Sequence, residues 1–270
     1  VAPSIDDDLV AAYQRDGAVV VRGAFTPDEV ALAASGIERA LAAPGPLFQR
    51  ASADTDGAFV EDFCTWGRIP EIEQLARRSS APEIAARLTG SCTIRLYHDH
   101  VLVKEPGTVQ RTPWHQDQPY YDIDGRQNVS IWFPVDPVGA AWSLQVVAGS
   151  HSGPWYLPRT FLAGDAKWFP PGTLADLPPI DDEPERYPVL SWDLEPGDAV
   201  FFHMLAIHAA PGVPGSHRRR VLSLRYVGDD VVHAPRPWRT SPPFTELAGA
   251  LVTGRPLDHP AFPVVWTGPG

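Results

Sequence analysis

Cysteine is scarce in this 270-residue chain, which has only Cys64 and Cys92. Two thiols make neither a disulfide framework nor a zinc site. They read as reduced core residues of a cytoplasmic protein. Long apolar runs are missing as well, and nothing approaches the roughly 18 residues of a membrane span. The first residues lack the basic, then apolar, then small pattern of a secreted chain. Positive charge is also short. The formal net charge of −11 argues against nucleic acid or an anionic membrane as partner. The one basic run, His217-Arg218-Arg219-Arg220, is too brief to reverse that. No internal repeat and no Gly/Ser linker divides the chain, so a single domain is expected over residues 1–270.

What is present suits a sizeable core, with 44% hydrophobic residues and nine tryptophans. The 30 prolines are about twice average usage. They concentrate after residue 150 and imply ordered loops, since helices and central strands exclude proline.

The part up to about residue 90 reads as helical. Leu9, Val10 and Tyr13 mark a helix from Asp6 to Asp16 that Gly17 ends, and Ala18 to Val21 follows as a strand. Thr26-Pro27-Asp28-Glu29 combines a threonine cap, a first-turn proline and a glutamate three residues on. Helices are also predicted at Ile69 to Arg78 and Pro82 to Leu88. Residues 91–230 read instead as short strands between Gly/Pro turns, the pattern of a sandwich or barrel. The clearest are Ser91 to Lys104, Asn128 to Val135, Leu144 to Val147, Ala199 to Phe202 and Arg219 to Val227. The predicted class is mainly β with flanking helices, a β core with N-terminal helices packed outside. Residues 231–270 form a C-terminal extension. Residues 153–188 have little periodicity and many aromatics, among them Trp155, Tyr156, Phe161, Trp168 and Phe169, and read as an ordered flap.

Two segments carry candidate metal ligands. Trp114-His115-Gln116-Asp117 holds a His-x-Asp pair, whose two-residue spacing puts both side chains on one face of an extended strand. Gly197 to His208 supplies a distant histidine, His208, and Arg219 follows eleven residues later. Two histidines and a carboxylate on one face of iron(II) leave positions open for cosubstrate and oxygen. An arginine fork can grip a far carboxylate of 2-oxoglutarate. His98-Asp99-His100 has the same spacing, so a cupin-like site with three histidines stays open as an alternative. A further alternative is a non-catalytic β-sandwich that binds a small ligand.

Further segments make the likeness specific: Lys104-Glu105-Pro106-Gly107, Ile131-Trp132-Phe133-Pro134, Gly149-Ser150-His151, Phe201-Phe202-His203 and Ile207-His208. With the ligand segments and Arg219, they resemble the phytanoyl-CoA dioxygenase family of iron/2-oxoglutarate oxygenases in order and spacing. The resemblance implies a double-stranded β-helix (a jelly roll) with iron(II) at its mouth, and cofactors iron(II), 2-oxoglutarate and O2. It implies His115, Asp117 and His208 as metal ligands and Arg219 as the cosubstrate clamp. Trp132 and Val101 would line the cosubstrate pocket. The family often has a serine two residues after the distal histidine, where this chain has Ala210, so Ser223 is the candidate replacement. The implied reaction hydroxylates an unactivated C–H bond and releases succinate and CO2. Desaturation, epimerisation and cyclisation use the same cofactors, and the aspartate at 117 argues against halogenation.

Strand alternation extends this reading. With Arg219 inward, Val221, Ser223 and Arg225 share its face. With Val101 inward, Tyr97, Asp99 and Val103 follow. Asp99 and Arg225 are then either substrate contacts or an ion pair closing the barrel. Gln118, Tyr120 and Tyr121 are expected at the rim, and Trp142 in an apolar wall. The expected partner is a small-molecule substrate that carries no nucleotide.

Overall fold

Helix α1 (Asp7–Asp16) starts where Asp6 accepts from the Leu9 amide and ends at Gly17 in the left-handed region. A side chain at Gly17 would meet the His151 ring at 2.4 Å, so this turn requires glycine. The computed structural model describes residues 5–51, 57–158, 174–247 and 249–268. Strand β1 (Ala18–Val21) leads to α2 (Pro27–Ala42), which opens with a full capping box between Thr26 and Glu29. After β2 (Gln49–Arg50) and β3 (Phe59–Phe63) come α3 (Pro70–Arg78) and α4 (Ala81–Thr89). The next strands are β4 (Thr93–Lys104), β5 (Thr112–His115), β6 (Ile123–Asp124), β7 (Asn128–Pro134) and β8 (Gln145–Val147). The last are β9 (Val189–Leu190), β10 (Ala199–Phe202), β11 (His208–Ala210), β12 (Arg219–Val227), β13 (Val232–His233) and β14 (Val264–Thr267). Among the described residues, no helix is long and apolar enough to cross a membrane.

The strands pair antiparallel into a large sheet, ordered β1-β10-β7-β12-β4-β3-β2 with β14 also on β4, a small sheet, β5-β11-β8-β9, and a two-stranded ribbon, β13-β6. Besides the expected β1, the large sheet thus draws β2 and β3 from the segment read as mostly helical and β14 from the C-terminal extension. In β3 the acids Glu61 and Asp62 are both buried, so no polar alternation announces the strand.

One face of the large sheet carries Val101, Val103, Leu222, Leu224 and Tyr226. They share a buried cluster with Tyr13, Ile37, Ile72 and Leu88 from the four helices. On the other face, Trp132, Val200, Phe202 and Val221 pack against Leu144, Val146 and Ala206 on the small-sheet side. Between the sheets lies a cavity.

Register decides which residues reach that cavity. Arg219 pairs with Lys104, Val221 with Leu102 and Ser223 with His100, so these pairs share a face. All six line the cavity. Val101 pairs with Leu222 and turns with it toward the helices, which corrects its expected place beside the cosubstrate. Val103 follows it.

Candidate metal centre

The turn after β10 and the end of β5 bring the triad together. His208 on β11 and His115 on β5 are direct cross-strand partners, with ring centroids 4.1 Å apart. Asp117 is not on the strand. β5 ends at His115, and Asp117 has helical backbone angles at the start of a short 3-10 turn. That turn is held by the Asp117 and Gln118 amides, which both donate to the Met204 carbonyl. The carboxylate is thus swung back toward the histidines. Oδ1 of Asp117 lies 3.7 Å from Nε2 of both His115 and His208.

These buried residues form the single metal-capable cluster among the described residues, with ligand atoms within 4.8 Å of one another. Nδ1 of His115 donates to the Pro113 carbonyl (2.8 Å), and Nδ1 of His208 to the Ala206 carbonyl (2.9 Å). A carbonyl only accepts, so the ring protons sit on Nδ1, and the Nε2 lone pairs are directed at the centre. Burial, and then the neighbouring His208, lowers His115 to about 3, so the ring is neutral and ready to ligate. Burial alone would raise Asp117, but Arg225, His208 and His115 together hold its carboxyl below the usual range. The distal oxygen Oδ2 accepts from Ser130 Oγ (2.6 Å) and from Arg225 Nη2 (3.4 Å).

At one side of the cavity stands Arg219, 3% exposed. Its Nη1 donates to the Trp142 carbonyl and its Nη2 to the Pro211 carbonyl, and its guanidinium lies 5.4 Å from the Trp132 ring centre. Among the described residues its hydrogen-bond partners are these two carbonyls, and no carboxylate acts on it. Burial lowers it to about 9. Beside it the Lys104 ammonium donates to the carbonyls of Gln110, Ala210 and Pro211. Burial and then Arg219 hold Lys104 well below the ordinary lysine value. The sequence marks Lys104 only within Lys104-Glu105-Pro106-Gly107 and assigns it no place in the site, where its pairing with Arg219 across β4 and β12 puts it.

Trp132, Ala210, Ser223 and Arg225 line the same cavity, as do Tyr120 and Tyr121. The Ser223 hydroxyl donates to the Ile131 carbonyl at 2.5 Å, so its proton is already committed. Four expectations need correction. Asp99 points away and caps the loop before α3, accepting from Thr65 Oγ1 (2.5 Å) and the Trp66 amide (2.9 Å). It makes no ion pair with Arg225, whose carboxylate partner is Asp117. Gln118 is turned from the rim to bind the Ile123 and Gly125 carbonyls and Asn128. Trp142 gives its carbonyl to Arg219, and its ring packs beside His217 and against the Trp132–Leu144 cluster behind the wall, outside the cavity lining itself. The three-histidine alternative fails because His100 is held by Glu61 (3.0 Å) and His98 packs between Tyr97 and Tyr121.

Of the expected flap, residues 159–173, including Phe161, Trp168 and Phe169, lie outside the described residues. Its described ends are tied to the metal-ligand segment. Gln116 donates to the Pro154 carbonyl and accepts from the Tyr156 amide, and Trp114 donates to Asp181.

Two imidazole nitrogens and one carboxylate at a buried mouth form a candidate metal centre, and the guanidinium in the same cavity gives it a cation beside the site. The chain belongs to the phytanoyl-CoA dioxygenase family, whose model matches residues 13–221. Iron(II), 2-oxoglutarate and O2 are that family's cofactors, and the His115–Asp117–His208 cluster supplies the metal site they need. A curated relative, "Probable phytanoyl-CoA dioxygenase" of Caenorhabditis elegans, is 28% identical over 188 residues, which is 64% of this chain and 54% of the relative. The chain therefore spans about half the length of that relative. Among solved structures, the carbocyclase SnoK from nogalamycin biosynthesis superposes with a TM-score of 0.76 at 21% identity, covering 97% of both chains. The epimerase SnoN from the same biosynthesis gives 0.75 at 24% identity, covering 97% of this chain and 96% of its own. EctD from S. alaskensis, solved with 2-oxoglutarate and 5-hydroxyectoine, gives 0.66 at 20% identity, covering 100% of this chain and 86% of its own. The two antiparallel sheets fit the jelly-roll core of these non-haem oxygenases.

Proposed function

We propose that this protein is an iron(II)- and 2-oxoglutarate-dependent oxygenase that hydroxylates an unactivated C–H bond of a small metabolite. The observation that carries the reading is Arg219, a buried guanidinium without a carboxylate partner among the described residues, in the cavity that holds the triad. Leaving such a charge uncompensated is costly, and a bound dianion removes the cost.

In this reading His115, Asp117 and His208 hold iron(II) on one face. Their nitrogen and oxygen donors suit it, and the carbonyl-anchored Nδ1 atoms fix both rings. Arg219 takes the far carboxylate of 2-oxoglutarate through its fork, and Trp132 forms the wall beside it. Lys104 keeps the Ala210 and Pro211 carbonyls turned onto its ammonium, so that they do not face the incoming anion. Ala210 offers no hydroxyl, and Ser223 contributes only an acceptor oxygen there. When bound, the metal and its cosubstrate supply oxidative decarboxylation to succinate and CO2 coupled to substrate oxidation. The protein contributes orientation and exclusion of water, with Tyr120, Phe63 and Phe202 lining the cavity.

Anaerobic addition of iron(II) and 2-oxoglutarate should give the weak visible charge-transfer band of the chelate. It should vanish in His115→Ala and weaken in Arg219→Ala. Well-folded, metal-loaded protein without the band would sink the 2-oxoglutarate reading and leave a metalloenzyme that uses no such cosubstrate. Cyclisation or epimerisation is the second reading, because two structures of the same fold are named carbocyclase and epimerase. Product analysis separates these from hydroxylation.

A further inference from the structure

We infer that the prime substrate is an acid whose carboxylate docks on Arg225, next to the metal centre. The inference rests on the oxygenase reading and deepens it. Arg225 is 5% exposed and lines the cavity from β12, three pairs along from Arg219 on the same face. Two of its nitrogens are committed. Nε donates to Tyr121 Oη (3.1 Å), and Nη2 reaches Asp117 Oδ2 (3.4 Å). Nη1 is buried with no hydrogen-bond partner among the described residues. An orphaned guanidinium donor costs more than an ordinary unmade hydrogen bond, so a site that keeps one is shaped to receive an acceptor.

Charge points to an anionic acceptor. Lys104, Arg219 and Arg225 line one cavity, and iron(II) would add two further positive charges. Against them stand Asp117, the Glu61 carboxylate behind His100, and the two carboxylates of 2-oxoglutarate. With Lys104 the ammonium that its three carbonyl acceptors require, the positive side remains in excess, and in a buried site that excess favours one more anion. The far carboxylate of 2-oxoglutarate has its own cation in Arg219, so Arg225 is available to the substrate.

The surroundings define the rest of the molecule. His100, which pairs with Ser223 one step along the cavity face from Arg225, is fixed by Glu61 at 3.0 Å, with the Phe63 ring stacked on it at 3.8 Å. Tyr120 and the ring of Tyr121, whose hydroxyl meets Arg225, continue this surround. A compact, ring-bearing carboxylic acid fits this combination of one cation and flat apolar walls.

The test uses protein loaded anaerobically with iron(II) and 2-oxoglutarate. Benzoate and cyclohexanecarboxylate are compared with benzamide and cyclohexanecarboxamide, their neutral counterparts. Perturbation of the visible band and the rise in melting temperature are both followed. The acids should half-saturate at concentrations at least tenfold below the amides. Arg225→Gln should bring that ratio close to one, with Arg225→Lys in between. Each ratio is taken within one protein, so a general change in folding or metal affinity cancels. Equal binding of acids and amides, or an acid preference that survives Arg225→Gln, would overturn the inference. So would a preference lost only in Arg219→Gln, which would place the acids on the cosubstrate clamp. If the band never forms, the oxygenase reading fails, while the melting-temperature ratio still reports on Arg225.

Discussion

Lys104 and Arg219 donate to one acceptor, the carbonyl of Pro211, each at 3.1 Å. Two buried cations converging on one oxygen repel each other, and Lys104 is held well below its ordinary value by burial and by Arg219. A dianion against the pair relieves that repulsion. Lys104→Met is therefore expected to weaken 2-oxoglutarate binding about tenfold, roughly 1.4 kcal/mol. It should also lower the melting temperature, because three carbonyls lose their donor. Calorimetric titration of the metal-loaded variant checks this, and unchanged affinity would remove Lys104 from the cosubstrate pocket.

Ser130 acts on the metal through Asp117. Its hydroxyl fixes Oδ2 at 2.6 Å, which leaves Oδ1 toward the histidines. Partners of this kind typically cost about 10–100-fold in metal affinity when removed. Ser130→Ala should show that loss in an iron(II) competition assay, with little change in the far-ultraviolet dichroism. Unaltered affinity would mean that Arg225 alone orients the carboxylate.

Asp99 behaves as a structural group. Asp99→Ala frees Thr65 Oγ1 and the Trp66 amide in a buried loop, for a loss of about 2 kcal/mol in stability. Cosubstrate affinity should stay within about twofold, since one or two contacts of this size act on the fold and not on the cavity. A raised half-saturation for substrate with unchanged stability would return Asp99 to the site.

Acid should destabilise the metal-free protein through its buried histidines. Burial, with His151 and Arg126 adding to it, lowers His203 to about 3, and burial likewise holds His98 well below 6.5. The unfolded chain protonates these rings near the ordinary value of about 6.5. Between that value and the folded one, the unfolded state binds more protons, so stability rises with pH across the window. Each such ring should cost about 1 kcal/mol on going to one unit below its unfolded value. Urea melts between neutral pH and that point measure it, and a flat profile would show that the rings titrate normally in the folded state.

The helix boundaries were legible because local chemistry sets them: the Thr26 cap and the Gly17 stop lie where the sequence puts them, and the first helix starts within one residue of its expected Asp6. The β12 face was legible for the same reason, since alternation along one regular strand needs no partner. Val101 was not. Its orientation depends on which residue of β12 it pairs with, and a one-residue difference in register reverses every side chain. Ser223 lies opposite His100, so His100, Leu102 and Lys104 face the cavity. The irregular register between Arg225 and Tyr226 also breaks simple counting toward Tyr97. The position of Asp117 escaped because its geometry comes from the distant Met204 carbonyl, which no two-residue spacing reveals. β14 escaped because its pairing with β4 is long-range.

The pairing of His208 with His115 joins β11 to β5. These strands are three and four residues long and lie in the small sheet, whose ladder is correspondingly modest. An ion gripped from both strands is a rivet through that sheet as much as a reagent. Without it, the segment leading into β5 has less to hold it against fraying, and frayed backbone is where proteases cut. Removing the metal is therefore expected to speed limited proteolysis at the segment leading into β5.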